Sequence, residues 1–319
     1  MQTTQLGRSG LAVSRLCLGT MNFGPRTKEA DAHAILDVAL DAGVFFVDTA
    51  NVYGGGGATE EILGRWFAQG GIRRDQTVLA TKVFGGMGPG PNDRRLSARH
   101  IVRACEDSLR RLQTDWIDLY QMHHVDRRTP WEEIWQAMDR LVQDGKVVYV
   151  GTSNFAGWQL VQGQEAANRR NLLGIVSEQS LYNLNDRTIE LEVLPACETY
   201  GIGVLPWSPL SGGRLAGVLG EDGARRRKDA IVAEVAERRH TFEAWEGLCA
   251  ELGQPPAVVA LAWLLHQPGV TAPIIGPRTM HQLTSALAGL DVHLDEGTLQ
   301  RLDAIWPGPG GEAPEAYAW

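Results

Sequence analysis

Eight short apolar runs, rich in β-branched residues, recur along the chain at a nearly constant interval. They begin near Leu16 (LCLGT), Val44 (VFFVDTA), Thr77 (TVLATKV), Trp116 (WIDLYQMHH), Val147 (VVYVGTS), Gly174 (GIVSEQS), Ile202 (IGVLPWS) and Ala272 (APIIG). Successive starts lie 28, 33, 39, 31, 27, 28 and 70 residues apart. A strand, its crossover helix and the next parallel strand need about 30 residues. Six of the seven intervals therefore hold one such unit each. Several runs are almost continuously apolar, as strands covered on both faces must be.

The intervening segments carry helical patterning. Ser97-Ala98-Arg99-His100 opens a stretch with Ile101, Val102, Cys105, Leu109 and Leu112 on one stripe, and Ser97 suits its N-cap. Thr129-Pro130-Trp131-Glu132 opens another, with proline at the first helical position, ending at Asp144-Gly145. Ala257 to His266 is apolar almost all round, which suits a buried helix too short for a bilayer.

Eight strands alternating with helices predict an α/β fold, a single (β/α)8 TIM barrel spanning residues 1–319. The competing doubly wound sheet lacks its Gly-x-Gly-x-x-Gly after the first strand. The long interval predicts an extended loop insertion before the last strand, residues 211–253, containing Arg225-Arg226-Arg227-Lys228. It reads either as a solvated helical excursion or as a loop folded over a ligand at the barrel mouth. The tail, 307–319, is rich in Gly and Pro and is expected to be loose until its final aromatic residues.

Composition narrows the function. No run of ~18 apolar residues is present, so no membrane partner is expected. The start, Met1-Gln2-Thr3-Thr4-Gln5, lacks the features of a secretory signal. Cys17, Cys105, Cys197 and Cys249 are scattered, which fits a reducing cytoplasm. A net charge of −8 argues against a nucleic-acid partner. Glycine makes up 37 of 319 residues, about 12% against a usual ~7%, and that excess needs a cause. Only four lysines occur, so Lys82 inside an apolar run is conspicuous.

Barrel sites form at the C-terminal ends of the strands. Those ends carry Asp48, with Tyr53 in the loop beyond it, then Lys82, His123-His124, Ser153-Asn154, Glu178-Gln179, Trp207-Ser208 and Gly276-Pro277-Arg278. Each has an ordinary structural reading when taken singly. Together, Asp48, Tyr53, Lys82 and His123 have a joint use. A phenol is a poor acid at neutral pH. A nearby ammonium favours its phenolate, a carboxylate holds the ammonium, and an imidazole binds a substrate oxygen. Such a set makes a general acid for a carbonyl oxygen receiving a hydride. His123-His124 also admits a metal-dependent hydrolase, but no further ligand set accompanies it, so no metal is expected.

The order of these pieces resembles the aldo-keto reductase superfamily. The likeness is carried by LGRSGLAVSRLCLGTMNFG at 6–24, FFVDTANVYGGGGATEEILGRW at 45–66 and TKV at 81–83. It continues in DLYQMHHVD at 118–126, GTSNF at 151–155, SEQSLYNL at 177–184, PWSPLSGG at 206–213 and PIIGPRTMHQL at 273–283. The nearest branch is the bacterial one similar to potassium-channel β-subunit-like reductases.

The resemblance implies NADPH as cofactor and a small carbonyl compound as substrate. It implies Tyr53 as proton donor, Lys82 lowering the Tyr53 pKa, Asp48 holding Lys82, and His123 orienting the carbonyl and sharing in proton transfer. Ser153, Asn154 and Gln179 match residues that bond the carboxamide, and Trp207 matches the ring stacked on the nicotinamide. Ser208, Leu210, Gly212 and Arg214 match the pyrophosphate loop, and Gly276, Arg278 and Gln282 the adenosine end. Ala286 stands where many relatives have an adenine-reading Asn. Residues around Met21-Asn22-Phe23, with Phe84 and His124, are expected to wall the substrate pocket, Phe23 contributing an aromatic face and His124 standing at the rim or against Asp126. A regulatory subunit that binds NADPH and senses redox state is the alternative. Natural substrate and oligomeric state stay open.

Overall fold

The computed structural model describes residues 2–220 and 229–318. Eight parallel strands form one curled sheet: Cys17–Gly19, Phe46–Asp48, Val78–Val83, Ile117–Met122, Val147–Ser153, Ile175–Gln179, Gly203–Val204 and Ile274–Ile275. They pair in sequence order, and the last also pairs with the first. Val204 bridges Val270 in parallel, and Ile274 N donates to Pro206 O at 2.8 Å, linking the seventh strand to the eighth. The eight expected runs thus become eight strands of an α/β barrel, each flanked by helices on its outer face.

The helical patterning holds with small shifts. The first amphipathic stretch is helix Ala98–Leu112, capped by Ser97 Oγ accepting from His100 N at 3.3 Å. The next helix is Trp131–Gln143, and Pro130 sits one position earlier than expected, at the cap. The buried helix is Pro256–His266.

One element has no counterpart in the sequence reading. Strands Thr3–Gln5 and Ala12–Ser14 form an antiparallel hairpin. Leu6 and Val13 beside it are fully buried, in one apolar cluster with the inward residues Cys17, Phe46, Ala80, Leu119 and Ala272. Arg8 N donates to Gly201 O at 2.7 Å, so the hairpin plugs the N-terminal end of the barrel. The alternation expected of strands then carries each inward stripe upward from this apolar floor: Phe46 to Asp48, Ala80 to Lys82, Leu119 to Gln121 to His123.

The long interval before the last strand divides in two. Helix Arg239–Glu251 buries Phe242, Trp245, Leu248 and Cys249 in a cluster with Trp263, Leu302 and Trp306. That half is a core layer and corrects the reading of a solvated excursion. Apolar burial of this size drives the packing. The other half begins at Ser211–Arg214 beside Trp207 and includes helix Asp229–Glu237. The Arg225–Lys228 run lies outside the described residues. The tail is tied down before its last aromatics: Ala313 N donates to Leu191 O at 3.0 Å. Trp319 lies outside the described residues.

Much of the glycine excess is a backbone requirement. Nineteen described glycines have positive φ, among them Gly54 to Gly57 after Tyr53. Among the described residues no single helix is long and apolar enough to cross a membrane. The one bent pair that passes on length and composition is the core pair Arg239–Glu251 and Pro256–His266.

Candidate active site

Lys82 organises the mouth. It is fully buried on the third strand, and its Nζ donates to Asp48 Oδ2 at 2.6 Å, Thr49 O at 2.8 Å and Tyr53 Oη at 3.2 Å. Three acceptors match the three N–H donors of an ammonium. Asp48 Oδ1 in turn accepts from Gln121 Nε2 at 3.0 Å and Gln179 Nε2 at 2.9 Å. A buried ion pair is tolerated only when its remaining hydrogen-bonding groups are met, and these two amides meet them. Gly151 makes the room, because a Cβ there would lie 2.5 Å from Ser177 Oγ and 3.2 Å from Gln121 Cγ.

Gln121 is a residue the sequence reading missed. The signal was available: it stands two before His123 on one strand, so both face inward.

Lys82 acts on the Tyr53 phenol in the expected direction but does not set its net shift. Burial pushes the Tyr53 phenol up, and Lys82, though it lowers it, does not reverse the shift; Asp48 adds to the rise. The Tyr53 hydroxyl is therefore held above its ordinary value, not below it. Burial also opposes the charge on Lys82, but Asp48 and then Tyr53 more than offset it, so the ammonium is held above its ordinary value. His123 is pushed down to about 3, by burial first and then by Lys82 and His124. At neutral pH its imidazole is uncharged. Its ring meets that of Tyr53 edge-on, with centroids 5.8 Å apart.

A second group of side chains adjoins the first. Asn154 follows the fifth strand with φ of +61°. Its Oδ1 accepts from Trp207 Nε1 at 3.0 Å, and its Nδ2 donates to His123 O at 3.2 Å and Ser153 Oγ at 2.9 Å. Ser153 Oγ donates to Gln179 O at 2.9 Å. The Nε2 of Gln179 is already committed to Asp48, which leaves its Oε1 for any carboxamide.

Beyond Trp207 the chain turns through backbone. Ser208 and Gly212 both have positive φ, and Gly212 N donates to Ser208 Oγ at 3.2 Å. Trp207, Ser208, Ser211, Gly212, Arg214 and Glu234 line a cavity of about 310 Å³. Leu210 turns its side chain toward the apolar core instead. Arg214 is not free, since its Nε donates to Glu234 Oε2 at 2.6 Å. At the last strand, Asn22 Nδ2 donates to Gly276 O at 2.9 Å and Gln282 Oε1 accepts from Arg278 N at 2.7 Å. The exposed Arg278 guanidinium makes no ion pair among the described residues. Ala286 is buried in the core cluster of the first two strands, so it faces away from solvent.

The pocket walls need one correction. Phe23 is fully buried in that same core cluster, and its carbonyl accepts from Thr59 Oγ1 at 2.9 Å. Its ring does not line a pocket; Met21, 61% exposed, is the apolar side chain that this loop presents. Phe84 and His124 do meet, with ring centroids 5.4 Å apart. His124 is exposed at the rim, and Asp126 is bonded instead by Leu96 N, Arg128 N and Thr129 Oγ1.

A parallel barrel with a buried ammonium, a phenol and a neutral imidazole at its mouth defines a barrel oxidoreductase. Residues 15–307 match the Aldo/keto reductase family, and the chain belongs to it. It is 54% identical to the "Uncharacterized oxidoreductase YrpG" of Bacillus subtilis over 100% of both chains. It is 37% identical to a "Probable voltage-gated potassium channel subunit beta" of Oryza sativa subsp. japonica over 92% of each. Identity to the "Versiconal hemiacetal acetate reductase" of Aspergillus parasiticus is 32%, over 97% of this chain and 99% of that one.

Proposed function

We propose that this protein reduces an aldehyde or ketone, such as a sugar or other small carbonyl compound, to the alcohol with NADPH, and that Tyr53 gives the proton. The observation that carries the reading is the Asp48–Lys82–Tyr53 chain, with contacts of 2.6 and 3.2 Å.

The residues of the second group fit a nicotinamide nucleotide. Asn154 fixes the half-buried Trp207 ring by its edge nitrogen, so neither ring face is used by that bond. Gly212 and Gly213, both at positive φ, offer bare backbone for phosphate oxygens. Arg278 has the two-point geometry that suits a 2′-phosphate. NADPH, when bound, supplies the hydride.

The chain's own residues supply the rest. The Tyr53 hydroxyl donates its proton to the carbonyl oxygen as negative charge develops there. Lys82, fully charged, stabilises the phenolate left behind, at hydrogen-bond distance and away from water. Asp48 keeps that ammonium in place, and Gln121 and Gln179 keep Asp48 in place. His123, uncharged, offers an N–H to the carbonyl oxygen and orients it. The raised phenol also keeps its proton through neutral pH, as an acid for reduction should.

NADPH consumption across a panel of aldehydes and ketones tests this reading. Turnover of at least one class is expected. NADPH binding without turnover on any would favour a redox-sensing subunit, the reading suggested by the channel-subunit relatives.

A further inference from the structure

One buried acid takes no part in the chemistry above. Glu178 stands on the sixth strand beside Gln179, fully buried, and alternation turns it to the opposite face. Its Oε1 accepts from Phe155 N at 3.1 Å and from Ser180 Oγ at 2.7 Å. Its Oε2 is buried without a hydrogen-bond partner. Cys197, on helix Val193–Tyr200, is close enough that Glu178 adds to the burial that pushes its thiol up. No Lys, Arg or His forms an ion pair with Glu178 among the described residues.

The two donors to Glu178 have something in common. Phe155 directly follows Asn154, whose left-handed φ is uncommon for a residue with a Cβ. Ser180 O accepts from Trp207 N at 2.9 Å. The carboxyl thus joins the backbone carrying Asn154 to the backbone that pairs with Trp207. Asn154 Oδ1 and Trp207 Nε1 then meet on the far side, at 3.0 Å.

We propose that Glu178 is a positioning residue for the cofactor. Acting through the Phe155 N–H and the Ser180 hydroxyl, it holds Asn154 in its left-handed conformation and so sets the Asn154–Trp207 pair. This rests on the NADPH reading above. A glutamine keeps the accepting oxygen and places an amide where Oε2 lies, so it should substitute. A leucine removes the acceptor and leaves two donors unmet in a dry site, a costly change.

The test compares wild type, Glu178→Gln and Glu178→Leu by calorimetric NADP⁺ binding, hydrogen exchange of the Phe155 amide and steady-state kinetics. In the leucine variant, NADP⁺ affinity should fall about tenfold and the NADPH KM should rise alike. Its kcat at saturation should stay within about threefold of wild type, and Phe155 amide protection should be lost. Glu178→Gln should match wild type within about twofold on every readout. Wild-type NADP⁺ binding in the leucine variant would overturn the proposal, and so would a glutamine variant as impaired as the leucine one. A fall in kcat with unchanged KM would overturn it as well. If Glu178→Leu does not fold, Glu178→Asp takes its place: one methylene shorter, it withdraws the acceptor, and the same losses are expected. A wild type that neither binds NADP⁺ nor oxidises NADPH would sink the parent reading; the Phe155 exchange comparison would then still decide what Glu178 does.

Discussion

The two sides of the barrel mouth are built differently. Around the second to fourth strands, Asp48, Lys82 and Gln121 are buried and joined by short hydrogen bonds, and Tyr53 is bonded to them. Around the last two strands, Ser208, Gly212, Arg278 and Gln282 are half-buried or exposed, and much of the surface is backbone. The first side is preorganised and has little to gain from a ligand. The second presents groups whose remaining hydrogen bonds a phosphate-bearing ligand could make. Proton transfer needs fixed distances and excluded water, whereas binding a long nucleotide needs an accessible groove.

The sharpest way to break this contrast is Tyr53→Phe. Loss of the proton donor should lower kcat by about 10²–10⁴-fold, with NADP⁺ binding by calorimetry unchanged. An active Phe variant would place the acid elsewhere. Lys82→Met comes next. It strands the buried Asp48 charge, so urea unfolding should show a loss of roughly 3–5 kcal/mol. The double variant Asp48→Asn, Lys82→Met should recover part of that. A single variant as stable as wild type would mean the preorganised side is not under electrostatic tension.

Glu178 sharpens the comparison from between the two sides. Burial pushes its carboxyl up to about 7, against the hydrogen bonds it accepts, from an ordinary 4.5. Between those values the folded protein keeps a proton that the unfolded chain has released. The stability from this neutral carboxyl is therefore full below the unfolded value and is lost as pH rises through the folded one. The loss amounts to about 3 kcal/mol. Glu178→Gln should remove that pH dependence, read as the gap between the two proteins' urea midpoints from pH 5 to 8. Parallel curves would contradict it. The smallest effect belongs to the exposed side. Arg278→Ala should weaken NADPH about tenfold and NADH hardly at all, since the lost contact is one charge-assisted hydrogen-bonding group. Equal losses would show that Arg278 does not read the 2′-phosphate.

The residues that were legible in advance share a simple property. Asp48, Lys82 and His123 end strands whose apolar runs stand out at regular intervals, so topology alone brings them to one end. Tyr53 follows by its place in the next loop. What escaped the sequence was decided by neighbours distant in the chain. Phe23 looked like a pocket wall, but it is buried in one apolar cluster with Ile35 and Ile62 from two helices. The acidic, charged segment before the last strand looked solvated, but its apolar stripe meets Trp263 and Trp306. The hairpin plug is too short and too polar to register as strands, and it forms because the barrel floor needs covering.

By itself the sequence determined the eight-fold alternation, the family, and which chemical groups meet at the mouth, because period and order set which strand ends share a rim. Only the tertiary structure decided their state. Burial lifted the Tyr53 phenol above its ordinary value and left His123 uncharged. Burial also joined Glu178, which the sequence places only at a strand end, to the backbone that follows Asn154. Protonation depends on desolvation and on partners far away in sequence, and those exist only once the chain has closed around them.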